Sequence, residues 1–207
     1  MMARTPVGSA DLLLTDPPYN LRKLPWDDAD APAWEASMDG FLREAARVVR
    51  VGGAVVVFMS MVRLETLIRI AARHRLYYKT TGIWHKLNPL PRNMDLHFTN
   101  STEAWVYFVN RARTGTYNNE GKVIHDHFQC AAPGPRERKH GKHPTQKPLA
   151  LLEFLIRTLT HPGEVVLDPF MGSGSTGVAA ARLGRVFIGA EVDANYFNIA
   201  QRRINEG

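Results

Sequence analysis

One segment restricts the possible folds more than any other: EVVLDPFMGSGSTGVAAARL, residues 164–183. EVVLD (164–168) is a short, β-branched apolar run and predicts a buried strand. STGVAAARL (175–183) is rich in small residues and predicts a helix. Between them Gly172, Gly174 and Gly177 satisfy the spacing G-x-G-x-x-G. A strand turned into a helix by a glycine loop is half of a βαβ unit, and such units build parallel sheets covered by helices.

The rest of the chain reads the same way. ADLLLT (10–15) and AVVVF (54–58) are continuous apolar runs, as expected of strands covered on both faces. Trp34, Met38, Phe41, Leu42, Ala45, Val48 and Val49 recur at helical spacing, and Gly52-Gly53 predict the end of that helix. A basic helix is predicted over about 62–74, with further strands at TTGIWHK (80–86), EAWVYFV (103–109) and RVFIGAE (185–191). Thr145 predicts a helix cap with Pro148 in the first turn, and an amphipathic helix is predicted from Asp193 onward. Periodicity is lost over 111–143, which predicts a long loop or small insertion. The expected architecture is therefore α/β, doubly wound around a mainly parallel sheet, and 207 residues with 44% hydrophobic content predict one domain.

Composition bounds the chemistry. No apolar run reaches membrane-spanning length, and the N-terminus carries no signal-peptide pattern. The lone Cys130 excludes an internal disulfide or a cysteine-based metal cluster and fits a reducing cytoplasm. His125 and His127 alone do not make up a metal-ligand set, so no metal is expected. A net charge of +6 suits a polyanionic partner.

The glycine loop predicts a nucleotide-like ligand. Glu191 lies 19 residues past Gly172, at a predicted strand end, where a carboxylate can take both hydroxyls of a ribose. NAD is one candidate. Its pyrophosphate wants bare backbone N–H groups and no nearby anion, yet Asp168 stands at the start of the loop. Asp168 would instead attract an ammonium group. S-adenosylmethionine carries an α-amino group, a ribose and no phosphate, so the acids favour it over NAD.

A second strand ends the same way. LLLTDPPYN (12–20) passes from a buried run to an acid, two prolines, an aromatic ring and an amide. Ligands of open α/β sheets bind beyond the carboxyl ends of strands. Pro17 and Pro18 supply no N–H donors, so the turn presents acceptors, the Asp16 carboxylate and the Pro17 carbonyl, beside the flat surface of Tyr19. Two acceptors beside a stacking ring suit an exocyclic amine on a flat heterocycle.

Together TDPPY (15–19) and DPFMGSGSTG (168–177) resemble the two signature motifs of the DNA amino-methyltransferases that act on adenine N6 or cytosine N4. The order, catalytic motif first, resembles the circularly permuted β class. GIWHKLNPLPR (82–92), HPTQKP (143–148) and FIGAEVDANYFNIAQRRI (187–204) extend the resemblance to nearly the whole chain, leaving only about 111–139 without a counterpart. The resemblance implies an S-adenosylmethionine-dependent enzyme that methylates a flipped-out base in duplex DNA, with adenine favoured and cytosine N4 the alternative. Less favoured are an NAD-dependent oxidoreductase and a non-catalytic DNA-binding relative. It implies that Asp16 and the Pro17 carbonyl, with Pro18 shaping the turn, hold the target amine while Tyr19 stacks on the base. Asp168, Phe170, Gly172, Gly174 and Thr176 would line the methionine and ribose pocket, Glu191 would take the ribose, and Thr145 and Lys147 would reach the cofactor carboxylate. Lys86, Asn88, Arg92, Arg136, Arg138 and Lys139 are the expected DNA contacts, within or beside a recognition insertion at about 111–143.

One departure stands out. Family members carry a strand ending in an acidic Gly-Asp pair shortly before the catalytic motif, and residues 1–10 contain none. This predicts a sheet lacking one edge strand, with the bare edge near residues 1–10. A homodimer that completes the edge is one of three explanations, beside a minimal enzyme and a shortened chain.

Overall fold

The structure, a computed structural model, describes residues 1–19, 30–90, 96, 98–141 and 143–206. A seven-stranded sheet runs through its centre in the order β5-β3-β4-β2-β1-β6-β7. The strands are β1 (Ala10–Thr15), β2 (Val49–Met59), β3 (Leu76–Lys86), β4 (Thr102–Asn110), β5 (His127–Cys130), β6 (Val165–Asp168) and β7 (Val186–Gly189). The helices are α1 (Ala31–Val48), α2 (Leu64–Arg73), α3 (Leu149–Leu159), α4 (Ser175–Arg182) and α5 (Ala194–Glu206). Four strand pairings are parallel, β1 with β2, β1 with β6, β6 with β7 and β3 with β5; only the two made by β4 are antiparallel. The expected mainly parallel, helix-covered sheet is therefore present.

The sheet divides the core in two. Leu13, Val55, Val57, Phe108 and Leu167 face α1 and α2, while Leu12, Leu14, Val56, Trp105 and Val166 face α3 and α4. β1 is buried along almost its whole length because it has a strand on either side and a helical layer on both faces.

Several expected boundaries move, each for a tertiary reason. Gly52-Gly53 do not end a helix. α1 stops at Val48, where the buried Asn110 amide donates to the Ala46 and Val49 carbonyls at 3.0 and 2.7 Å, and both glycines lie inside β2. A Cβ on Gly53 would come within 2.8 Å of the Asp11 carbonyl, so glycine serves close strand approach there. Thr145 does not cap α3. That helix begins at Leu149, and its first N–H donates to the Glu137 carboxylate at 3.1 Å.

Residues 111–143 are not all loop. β5 adds a strand beside β3, and a 3-10 turn follows at Pro135–Arg138. Asn118 pins the first half of this segment to the C-terminal end of α3, through the carbonyls of Arg157, Thr158 and Thr160. Nor is there a bare edge at residues 1–10. Met2–Arg4 form a 3-10 turn held by Arg47, β1 is paired on both sides, and the unpaired edge beyond β6 belongs to β7.

Candidate active site

The parallel pairing of β1 and β6, Leu12 with Val166 and Leu13 with Leu167, brings both strands to their carboxyl ends side by side. The two turns singled out above are therefore neighbours, although 152 residues (168 minus 16) separate Asp16 from Asp168. A direct bond joins them: the Thr15 hydroxyl donates to Asp168 Oδ1 at 2.6 Å.

Asp168 is 3% exposed. It also accepts from the Thr176 hydroxyl at 2.7 Å and from the Phe170 N–H at 3.1 Å. Burial pushes its carboxyl up to about 6, despite these three donors. An acid held so far from water is poised for a cationic group. Phe170 packs edge-on against Phe41 at 5.6 Å between ring centres.

Beyond Phe170 lies an open cleft of about 500 Å³, lined by Phe41, Glu44, Pro169, Phe170, Glu191 and Val192 among others. Glu191 is fixed at its rim: Oε2 accepts from Gly172 N–H at 2.9 Å, and Oε1 from the N–H groups of Val192 and Asp193. Gly174 opens α4 in a left-handed conformation, φ 76°. A Cβ there would meet the Ala200 Cβ at 2.8 Å, so this glycine lets α5 approach the loop. Arg203, 6% exposed, reaches in from α5 and donates to the Ser173 carbonyl at 2.6 Å and to the hydroxyls of Ser173 and Ser175. An amphipathic period places Arg203 on the final helix without revealing that it braces the glycine loop.

The other turn is braced more heavily. Trp34 Nε1 donates to the Pro18 carbonyl at 3.0 Å, which leaves the buried Pro17 as the inner member of the pair. The Tyr19 hydroxyl lies 2.5 Å from Asp16 Oδ1 and 2.7 Å from Glu103 Oε1. Lys147, 6% exposed, binds Asp16 Oδ2 directly and Glu103 Oε1 at 2.8 Å. Lys86 holds the other Glu103 oxygen at 3.1 Å. Burial and the two acids push the Tyr19 phenol well above its ordinary value. Burial opposes the Lys147 charge, but the acids outweigh it and raise the ammonium.

Two residues expected at the cofactor and at DNA are thus paired within the protein. The Lys147 ammonium bridges Asp16 of the proline turn and Glu103 of β4. Lys86 pairs with the same Glu103. Sequence reading missed Glu103 because it begins an apolar strand, where one acid looks like a solvated end. Thr145 is exposed beside His143, whose Nδ1 lies 3.4 Å from its hydroxyl. Burial lowers the His143 imidazole to about 4, so it is neutral at pH 7.

The expected DNA contacts are spread out. Asn88 is exposed but accepts from Ala132 N–H at 2.7 Å. Arg136, Arg138 and Lys139 lie on or just after the 3-10 turn, with Lys139 paired to Glu206 at 2.8 Å. Arg136 and Lys139 border a separate cleft of about 400 Å³ that also holds Glu137, Glu153 and Glu206. Arg92 lies outside the described residues. Among the described residues there is no group of three His, Cys, Asp or Glu side chains that could hold a metal ion.

The comparisons with known proteins agree with this geometry. The sequence profile of the N6/N4 DNA methylase family matches residues 10–202. The chain is 32% identical over 226 residues to the type II methyltransferase M2.LlaDCHI of Lactococcus lactis subsp. cremoris, covering 96% of this chain and 83% of that protein. It is 32% identical over 221 residues to the type II methyltransferase M2.DpnII of Streptococcus pneumoniae, covering 95% and 82%. Among solved structures, the M1.HpyAVI–SAM complex superposes with a TM-score of 0.82 at 30% identity, covering 98% of this chain and 91% of the other. The cytosine-N4-specific PvuII methyltransferase shares the fold, with a TM-score of 0.78 at 20% identity over 100% of this chain and 89% of that one. With a turn of acceptors at the end of β1, a buried acid at the end of β6, a carboxylate after β7 bonded to the glycine loop, and a family profile spanning all three, this chain belongs to the N6/N4 DNA methylases and is an S-adenosylmethionine-dependent DNA methyltransferase.

Proposed function

We propose that the protein methylates the exocyclic N6 amine of adenine in duplex DNA, at a specific site. The observation that carries this reading is the Thr15 bridge, which sets a turn of hydrogen-bond acceptors directly against the buried acid of the cofactor loop. The favoured base rests on the DPPY and HPTQKP motifs, which look more like those of adenine enzymes. The cytosine-N4 fold is the same, so fold does not discriminate.

The cofactor fits what is present. Asp168 offers a buried counter-charge for an ammonium, Glu191 offers carboxylate oxygens at the rim for ribose hydroxyls, and the cleft beyond Phe170 has room for a flat ring. When bound, S-adenosylmethionine supplies an electrophilic methyl group. The protein's own residues do the rest by position. The target base must leave the helix to reach them. Its amine is a poor nucleophile because the nitrogen lone pair is delocalised into the ring. Acceptance of its two N–H bonds by Asp16 and the Pro17 carbonyl localises that pair, and Tyr19 offers its ring to the base. Such an enzyme acts where the genome lies, in the cytoplasm, and its type II relatives point to a restriction-modification setting. Mass spectrometry of nucleosides from methylated DNA tests the base directly: N6-methyladenine is expected, and N4-methylcytosine in its place would overturn the assignment.

Asp168 gives the reading a pH signature. Its folded pKa, about 6, lies above the ordinary aspartate value of about 4. Its contribution to stability is therefore present below about pH 4 and lost as pH rises through about 6. A cofactor ammonium needs the ionised form, so calorimetric affinity for S-adenosylmethionine should rise from about pH 5 to about pH 7. Asp168→Asn should flatten that rise and weaken binding while stabilising the ligand-free protein at pH 7, by at most about 3 kcal/mol. An affinity independent of pH in the wild type would remove Asp168 from the ammonium site.

Arg136 and Arg138 remain candidate phosphate contacts, with Lys139 sharing its charge with Glu206. Replacing all three by glutamine should weaken binding to duplex DNA and reduce the slope of log K against log salt by about 0.9 for each phosphate no longer neutralised. An unchanged slope would leave them on a solvated face.

A further inference from the structure

We propose that Glu103, on β4, is a positioning residue of methyl transfer: it holds Lys147 and the Tyr19 hydroxyl, and so leaves Asp16 as the carboxylate that accepts the proton the methylated amine must lose. The proposal rests on the reading of Asp16 as the group that meets the amine.

Four segments converge on this point: the proline turn, β3, β4 and the stretch before α3. The Tyr19 hydroxyl has one proton and two acceptors, Asp16 at 2.5 Å and Glu103 at 2.7 Å. The Lys147 ammonium bridges the same two acids. Glu103 has a second cation of its own, Lys86 at 3.1 Å. Two carboxylates thus share one small, largely buried space with unequal support. Burial pushes both up, but two lysines bring the Glu103 carboxyl down to about 2, whereas Asp16, with one shared lysine and an acid neighbour, stays raised. Asp168 adds a further negative charge from β6, and neutral His143 stands near Lys147. When neighbouring carboxyls are driven apart in this way, one remains ionised and the other is free to exchange a proton.

The reaction requires such an exchange. An amine that gains a methyl group through its lone pair becomes positively charged and must shed one proton. The N–H bond breaks, its electron pair returns to nitrogen as the lone pair, and an O–H bond forms on Asp16. The neutral acid gives that proton to water after the product leaves. Throughout, Glu103 retains Lys147 and Tyr19, so Asp16 can exchange their contacts for the amine without stranding a buried cation.

The test is single-turnover methylation of duplex DNA across about pH 5 to pH 9, with saturating S-adenosylmethionine, for the wild type, Glu103→Gln and Glu103→Asp. The wild-type rate should climb with pH along an acid limb set by Asp16. Glu103→Gln removes an anion beside Asp16 and releases Lys147 to it, so the limb should move to lower pH while the plateau rate falls by about tenfold. Cofactor affinity, read by calorimetry, should stay within about twofold of the wild type. Glu103→Asp should lie between the two, and it carries the test if the glutamine variant does not fold. A limb that stays in place in both variants overturns the proposal even if the rate drops, because a merely structural loss would do that. Asp16→Ala keeps the two readings apart: full activity in that variant sinks the role of Asp16 itself, whereas an inactive Asp16→Ala beside an unmoved Glu103→Gln limb sinks only the role of Glu103.

Discussion

Asp16→Ala should abolish methyl transfer while leaving most of the cofactor affinity. Asp16 stands on the β1 turn, and its contacts are to Tyr19 and Lys147, whereas Asp168 ends β6 and Glu191 follows β7. A charge-assisted bond that strengthens as the amine nitrogen changes geometry is made most fully in the transition state. Losing one costs about 3 kcal/mol, roughly a hundredfold in rate. Asp168 and Glu191, the residues proposed to meet the cofactor, stay in place in this variant. Calorimetric titration with S-adenosylmethionine and single-turnover methylation, run on the same preparation, separate the two effects. Near wild-type turnover would mean that the TDPPY turn only terminates a strand.

Lys147→Met should destabilise the fold itself. The lysine is 6% exposed and is the cation that Asp16 and Glu103 share. Methionine keeps the apolar stem but leaves two carboxylates joined through one phenol in a partly dry pocket. Removal of one partner from a buried ionic cluster costs about 3 kcal/mol or more. For a domain of this size that corresponds to roughly 10 °C in Tm. The loss should be largest at neutral pH and shrink as pH falls, because protonation of Asp16 relieves the repulsion. A Tm within a degree or so of wild type at pH 7 would show that the cluster opens to water and that Lys147 is dispensable to it.

The two turns illustrate what residue order can convey. Both are local: an apolar run, an acid, and a turn whose prolines or glycines dictate the backbone. The strand β1 starts and stops at Ala10 and Thr15 as its six residues predict, because it is buried on every side and has no exposed face to blur the pattern. Glu103 and Arg203 are the opposite case. Each looks from its spacing like a polar residue on an otherwise apolar element, and each proves to be the brace of a turn far away in sequence. Their partners lie 84 residues from Glu103 and 30 from Arg203, and no periodicity carries that information.

The ends of α1 and α3 make the same point about boundaries. Gly52-Gly53 and Thr145 are good local stop and start signals. They are overruled by Asn110, which caps the end of α1 from β4, and by Glu137, which caps the start of α3 from the 3-10 turn. A cap is a hydrogen bond to an orphaned backbone group, and any side chain that folding brings within reach can supply it.

By itself, then, the sequence determined the α/β class, the existence of the two loops and the chemical type of each, since these follow from short-range sterics and the distribution of apolar residues. Tertiary structure alone decided that the loops touch through Thr15 and Asp168, that Lys147 pairs with both Asp16 and Glu103, and that the edges of the sheet are β5 and β7 rather than residues 1–10. The physical reason is that parallel strands pair through backbone groups, which every residue carries alike, so the register that makes two distant turns neighbours is set only when the core closes around β1.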